Sequence, residues 1–221
     1  MPIDKKELKE LIGHESPNII EIGAYDGKDT RELRDLFRWP TVMAFEADLD
    51  SAIDLEENLQ YDCDKIWFYR FAIGDKDAPA PWYTGNHPSS NSTRPPKLHK
   101  EVWPEILFGG VECVPQYRLD TIIASFCCPF IVEPDNLDET DDIDLIWADV
   151  NGAELQVIEG AQETLKKTKL LYIEFGVKEL YEGQGSLADI QQALPGYWVL
   201  LKTYDVGENF GNALFQNKEL S

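Results

Sequence analysis

Residues 18–30 read NIIEIGAYDGKDT, a short apolar run, a bend with two glycines and the start of a helix. Gly23 and Gly27 permit a tight strand-to-helix turn and let a ligand approach the backbone at the carboxyl end of a strand. Residues 29–37 continue with Leu33, Leu36 and Phe37 spaced for one helix face, and Pro40 ends that helix. The alternation recurs. Apolar runs at 42–45, 66–71, 143–148 and 170–175 are separated by helical patterns, among them 51–59, opened by a Ser or Asp cap. Another helix is expected over 153–165, with Leu155, Ile158, Ala161 and Leu165 on one stripe. Strand and helix in alternation predict an α/β fold, a parallel sheet with helices on both faces. The chain's end differs: 197–203 and 213–216 read as an antiparallel hairpin around DVGENFGN, after a helix at 186–194 stopped by Pro195 and Gly196.

The 221 residues suffice for one sizeable core, so a single domain over 1–221 is expected. Lys plus Arg number 20 against 41 Asp plus Glu, a net charge of −21 that opposes a phosphate-backbone or anionic-lipid surface. Neither nucleic acid nor membrane is therefore an expected partner. With no long apolar run and a polar, charged start, a cytoplasmic location is expected. Cys63, Cys113, Cys127 and Cys128 lack C-x-x-C spacing and read as reduced thiols. Two stretches interrupt the alternation. Residues 78–105 carry prolines, Trp82, Tyr83, Trp103 and NHPSSNSTRPPKLHK, and read as a substrate or lid insertion; 133–144, EPDNLDETDDID, reads as a solvated acidic loop, with a cation site as the minor option.

The glycine bend also selects a ligand. A dinucleotide fingerprint in this register needs glycine where Glu21 and Asp26 stand, so a pyrophosphate fits badly. Glu46, 19 residues beyond Gly27 at the tip of the second strand, is placed to accept hydrogen bonds from both hydroxyls of a ribose. An adenosine with positive charge and no phosphate satisfies both features. S-adenosylmethionine is such a ligand.

Six segments resemble the FkbM family of S-adenosylmethionine-dependent methyltransferases: IIEIGAYDGKDT, AFEADLDSAIDLEENL, FAIGD, GNHPSSNST, YRLDTI and DLIWADVNGAELQVIEGA. They span about two-thirds of the chain in the family's order, and the last is the most specific. Two positions depart: Trp147 stands where many relatives carry Lys, and Asn151 where Glu or Gln is frequent. The resemblance implies a Rossmann-like class I fold with a seven-stranded, mostly parallel sheet whose last strand is antiparallel. It implies O-methylation of a small-molecule hydroxyl, often on a sugar, with S-adenosylhomocysteine as product. The cofactor set it implies is Glu21, Gly23, Tyr25, Gly27, Glu46, Ala47, Phe71, Ala72, Ser90, Asn91 and Asp149.

A hydroxyl acceptor needs a base or a metal near the methyl group. Asp149, at the end of the fourth long strand, ranks first as base or acceptor-binding group, with a helix N-cap as its structural alternative. Glu174, at the end of the fifth, and His87, in the polar loop, are the other catalytic candidates; an exposed loop imidazole is the simpler reading of His87. Glu154 reads as a first-turn cap. Asp149 and Glu174 lack a metal-ligand spacing signature, so no metal is assigned, though an oxygen-ligated divalent cation stays open. Trp82, Arg94, Lys97 and Asn151 are the candidate acceptor contacts, the basic residues alternatively pairing with surface acids. Two other readings compete: a degenerate methyltransferase fold acting as a binding module, and a nicotinamide-dependent dehydrogenase, which Glu21, Asp26 and the lack of a Tyr-x-x-x-Lys motif oppose.

Overall fold

The computed structural model describes residues 3–59, 66–125 and 142–220. The first half runs α1 (Lys5–Ile12), β1 (Asn18–Ile22), α2 (Lys28–Leu36), β2 (Thr41–Phe45), α3 (Leu49–Leu59), β3 (Ile66–Tyr69), β4 (Ala72–Ile73), β5 (Ala80–Gly85), α4 (His99–Val102), β6 (Phe108–Val114), β7 (Gln116–Tyr117) and α5 (Leu119–Ala124). The second runs β8 (Ile143–Ala148), α6 (Glu154–Gly160), β9 (Thr168–Gly176), α7 (Leu187–Ala193), β10 (Trp198–Tyr204) and β11 (Phe210–Asn217). Seven strands form one sheet in the order β10-β11-β9-β8-β1-β2-β3. Every described pairing in it is parallel except those of β11 with β9 and β10, so the expected mostly parallel sheet with its antiparallel last strand is present.

Strand alternation builds two cores. Ile19, Val42, Ala44, Leu145 and Trp147 point to one face and pack with Leu8 of α1, Leu33 of α2 and Leu55 of α3. Ile20, Ile22, Met43, Ile146 and Ile173 point to the other and pack with Leu119 of α5, Val157 and Ile158 of α6 and Ile190 of α7. Helices therefore cover both faces, the arrangement that parallel strands need. Trp147 is a core residue, its ring stacked 3.9 Å from that of Tyr172.

The sequence expectations shift in four places. β3 stops at Tyr69, and Phe71 leads into β4, which pairs with β7 outside the main sheet. The helix expected over 153–165 divides into α6 and a separate turn of 3-10 helix at Thr164–Lys167, because Asp120 Oδ1 accepts Glu163 N (3.1 Å), Thr164 N (2.8 Å) and Thr164 Oγ1 (2.8 Å) and so caps a second start. Most of the acidic loop lies outside the described residues, as do Cys63, Cys127 and Cys128; Cys113 is an exposed free thiol. Asp144, expected in that loop, instead sits buried in β8, accepting Lys169 Nζ (2.8 Å) and Asn18 N (2.9 Å) beside His14. Within 78–105, β5 pairs antiparallel with β6, which the Gly-rich FGGVECV pattern hides. Among the described residues no helix is long and apolar enough to cross a membrane.

β1 lies between β8 and β2, so the crossovers leave it in opposite directions and open a crevice at the strands' carboxyl ends. Gly23 sits in that crevice at φ +87°, with its N–H bonded to Phe45 O, and a Cβ there would stand 1.8 Å from the carbonyl oxygen of Asp149. Gly13, also left-handed at φ +81°, faces open space. Gly23→Ala should cost about 3 kcal/mol or more, strain plus backbone clash, and Gly13→Ala only about 1–2 kcal/mol of strain. Urea unfolding of the two variants checks the ordering.

Candidate active site

The crevice is a cleft of about 170 Å³, open to solvent at its mouth. One side is β1 and its bend, with Ile22, Gly23 and Tyr25; the next is the end of β2 and the start of its exit loop, with Phe45, Glu46 and Ala47. Phe71, Ala72 and Ile73 close the third side, and Asp149, Val150, Asn151 and Ala153 the fourth. Trp82, Pro88, Ser89, Asn91 and Thr93 complete the wall.

Glu46 is held there by the backbone. Its Oε2 accepts Tyr25 N at 2.8 Å and its Oε1 accepts Asp48 N at 2.6 Å, holding the carboxylate at the tip of β2. A carboxylate offers about four lone-pair directions, so both oxygens keep capacity for a ligand. Burial raises its pKa, and the N–H donors of Asp48 and Tyr25 oppose that rise. Tyr25 adopts φ +48° to turn its N–H inward, and Gly27 at φ +76° then starts α2. A Cβ on Gly27 would meet Leu55 at 2.3 Å, so this glycine serves helix packing and stands outside the cleft lining.

Asp149 follows β8, its N–H bonded to Ile22 O at 3.0 Å, and its exposed surface opens into the cleft. Surrounding protein desolvates it and Asp29 adds like charge, raising its pKa to about 6. Behind it, burial raises Glu154 to about 7 and Glu174 well above the carboxylate range, with Asp149 adding repulsion to both. Glu154 Oε1 accepts Gly152 N at 3.0 Å, a turn-closing role, while its Oε2 has no partner among the described residues. Among the described residues no set of three His, Cys, Asp or Glu side chains is arranged to hold a metal ion.

Some expected site residues stand elsewhere. Glu21 is buried within β1 behind the bend, its pKa raised to about 8 by burial and by Asp29, Glu46 and Asp149. Ser90 turns away from the cleft, and its carbonyl accepts Tyr181 Oη at 2.8 Å. Glu174 is buried near the cleft without lining it, and His87 is exposed, bonded to Ser89 Oγ at 2.8 Å. Arg94 Nε donates to Glu182 O at 2.8 Å and Lys97 pairs with Glu179, so both serve the 179–182 segment and neither lines the cleft. Lys97 thus follows the surface-pairing alternative. The residue that sequence reading missed is Asp48. It accepts Ser51 N and Oγ, Trp82 Nε1 (3.2 Å) and Asn91 Nδ2 (2.7 Å), and these bonds outweigh the burial that would raise its pKa, leaving it lowered. In sequence it shows only as a helix cap, because Trp82 and Asn91 lie 34 and 43 residues away.

Strand order, glycine bend and acidic strand tip together define a Rossmann-like methyltransferase. The chain belongs to the FkbM methyltransferase family: the Methyltransferase FkbM domain profile matches residues 21–204. It is 32% identical to the 2-O-methyltransferase NoeI of Sinorhizobium fredii (strain NBRC 101917 / NGR234), over 97% of this chain and 85% of that protein. The crystal structure of Methyltransferase FkbM from Methylobacillus flagellatus KT superposes with a TM-score of 0.56 at 16% identity, over 92% of this chain; the chain spans 44% of that protein's length. The METTL16 MTase domain superposes with a TM-score of 0.51 at 14% identity, over 97% of this chain and 66% of that one. These two likenesses concern the fold.

Raised carboxyl pKa values have a cost. Glu21, Asp149, Glu154 and Glu174 bind protons more tightly when folded than when unfolded, so the folded state holds more protons once pH exceeds the unfolded values near 4. Stability of the ligand-free protein should therefore fall as pH rises from 5 to 8. Glu21→Gln removes one such penalty and should stabilise the protein at pH 8 by a few kcal/mol, on the order of one per pKa unit shifted, with a flatter profile. Thermal unfolding at several pH values reads both.

Proposed function

We propose that this methyltransferase takes S-adenosylmethionine as methyl donor and transfers the methyl to a hydroxyl of a small molecule, a sugar or sugar-like metabolite. One observation carries the donor reading: Glu46 is fixed at the strand tip in the wall of a cleft whose described lining holds no Lys, Arg or His. A dinucleotide pyrophosphate would meet Glu46 and Asp149 with no compensating cation, which disfavours the dehydrogenase reading. A neutral adenosine bearing a cationic sulfur meets complementary charge. Gly23 supports the fit, since its missing Cβ lets the bend close on the Asp149 backbone.

When bound, the donor supplies an electrophilic methyl on a sulfonium. Glu46 would accept hydrogen bonds from the ribose hydroxyls, while Phe71, Ala72 and Ala47 offer an apolar wall to the adenine. Asp149, with its pKa near 6, is ionised at neutral pH and close enough to neutrality to take the acceptor hydroxyl's proton as the oxygen bonds to carbon. Trp82 presents an aromatic surface of the kind sugar rings use, and the segment 78–105 forms the acceptor-side wall. The hydroxyl acceptor draws support from the 2-O-methyltransferase relative.

Calorimetry should show 1:1 binding of S-adenosylhomocysteine, weakened at least about tenfold by Glu46→Ala through loss of charged hydrogen bonds. No binding by the intact protein overturns the donor assignment. With labelled donor and a panel of sugars bearing free hydroxyls, Asp149→Asn should lower kcat by about 10²–10⁴ while leaving S-adenosylhomocysteine affinity within about threefold.

A further inference from the structure

A turn-containing segment, residues 86–92, leaves the end of β5, passes the cleft and returns alongside it, with Tyr83 N bonded to Ser92 O at 2.8 Å. It is held from two sides. On the β2 side, Asp48 Oδ2 accepts Asn91 Nδ2 (2.7 Å) and Trp82 Nε1 (3.2 Å), while Asn91 Oδ1 accepts Gly85 N (2.8 Å). The backbone N–H of the same Asp48 holds Glu46 Oε1. On the β8 side, Asn151 Nδ2 donates to the carbonyls of Ser89 (2.9 Å) and Asn91 (3.1 Å), and Ser92 Oγ donates to Asn151 O (2.7 Å). Asn151 sits at φ +52° two residues beyond Asp149, so the bend that presents Asp149 also presents this amide.

An amide nitrogen has two hydrogens, and both of these are spent on the strap. Asn151 is thereby a holder of chain, whatever its Oδ1 does toward a ligand. We propose that Asp48 and Asn151 are positioning residues that pin the 86–92 strap across the cleft, one from the side of Glu46 and one from the side of Asp149. One closed arrangement of the strap then serves both ends of the reaction, an inference that rests on the donor reading above for its functional meaning. The bonds from Asp48 are charge-assisted and buried, the stronger class of hydrogen bond.

Asp48→Asn keeps one oxygen for the α3 cap but turns N–H groups toward Trp82 and Asn91, so donors face donors. Asn151→Gly keeps the positive φ and removes only the amide. In ligand-free protein, each variant should speed amide hydrogen exchange across 86–92 by about tenfold or more, while β8 and β9 amides keep wild-type rates. Adding Asn91→Asp to Asp48→Asn restores a donor–acceptor pair and should recover at least about threefold of that loss, which a general loosening of the fold would not allow. Bound S-adenosylhomocysteine should slow strap exchange in the wild type and slow it less in each single variant at equal saturation. Wild-type strap exchange in both single variants, free and loaded, overturns the proposal. If the wild type binds no S-adenosylhomocysteine, the donor reading falls, and the ligand-free comparison still decides whether these two residues are the pins.

Discussion

The carboxylate of Glu46, held between the backbone N–H groups of Tyr25 and Asp48, ties the bend after β1 to the entry of α3. Tyr25 belongs to the bend after β1 and Asp48 to the entry of α3, so one side chain sets the spacing of the two loops that frame the cleft. Both donors are main-chain groups, which cannot rotate away as side chains can. A buried carboxylate needs such donors, and without them its desolvation would push the proton back on. The same two bonds thus set the cleft's shape and help keep its acid charged.

Asp48 extends that constraint outward. Its own carboxylate reaches Trp82 and Asn91, and Asn91 is reached again through its carbonyl by Asn151. Glu46, Asp48, Asn91 and Asn151 therefore form a continuous chain of contacts from the tip of β2 to the turn after β8. Polar networks of this kind are costly when one member is missing and rigid when all are present. The crevice owes its floor to sheet topology and its far wall to this network.

The alternation of apolar runs made the sheet legible, since each long parallel strand is both buried and bounded by turn residues. β1 and β8 have the bounds read from sequence, and the antiparallel β10–β11 pair was visible from its Gly and Asn loop. Glu46, Gly23 and Asp149 were legible because strand ends fix where a residue must lie in this topology. What stayed hidden depends on contacts distant in sequence. Asp120 capping the turn after α6, Asp144 buried among His14, Lys169 and Asn18, and Asp48 reaching Asn91 all leave no local pattern. Arg94 and Lys97 stand outside the cleft for the complementary reason. Close in sequence to cleft residues, both turn toward the 179–182 segment instead.

Crowding acids at one sheet edge destabilises the empty protein, and the arrangement makes sense if a ligand brings the compensating charge. Asp149 illustrates the coupling. With a cation in the cleft, its carboxyl is favoured in the ionised, proton-accepting state, since opposite charge lowers a carboxyl pKa. On the proposed reading, once methyl transfer removes that positive charge, the desolvation by surrounding protein and the repulsion from Asp29 act unopposed, and the hold of Asp149 on a proton strengthens. On that reading, Asp149 would thus be weakest in proton affinity before transfer and strongest after it, which would couple capture of the acceptor's proton to disappearance of the donor's charge. Asp149 in turn raises the proton affinity of Glu154 and Glu174, which lie buried behind it and outside the cleft lining.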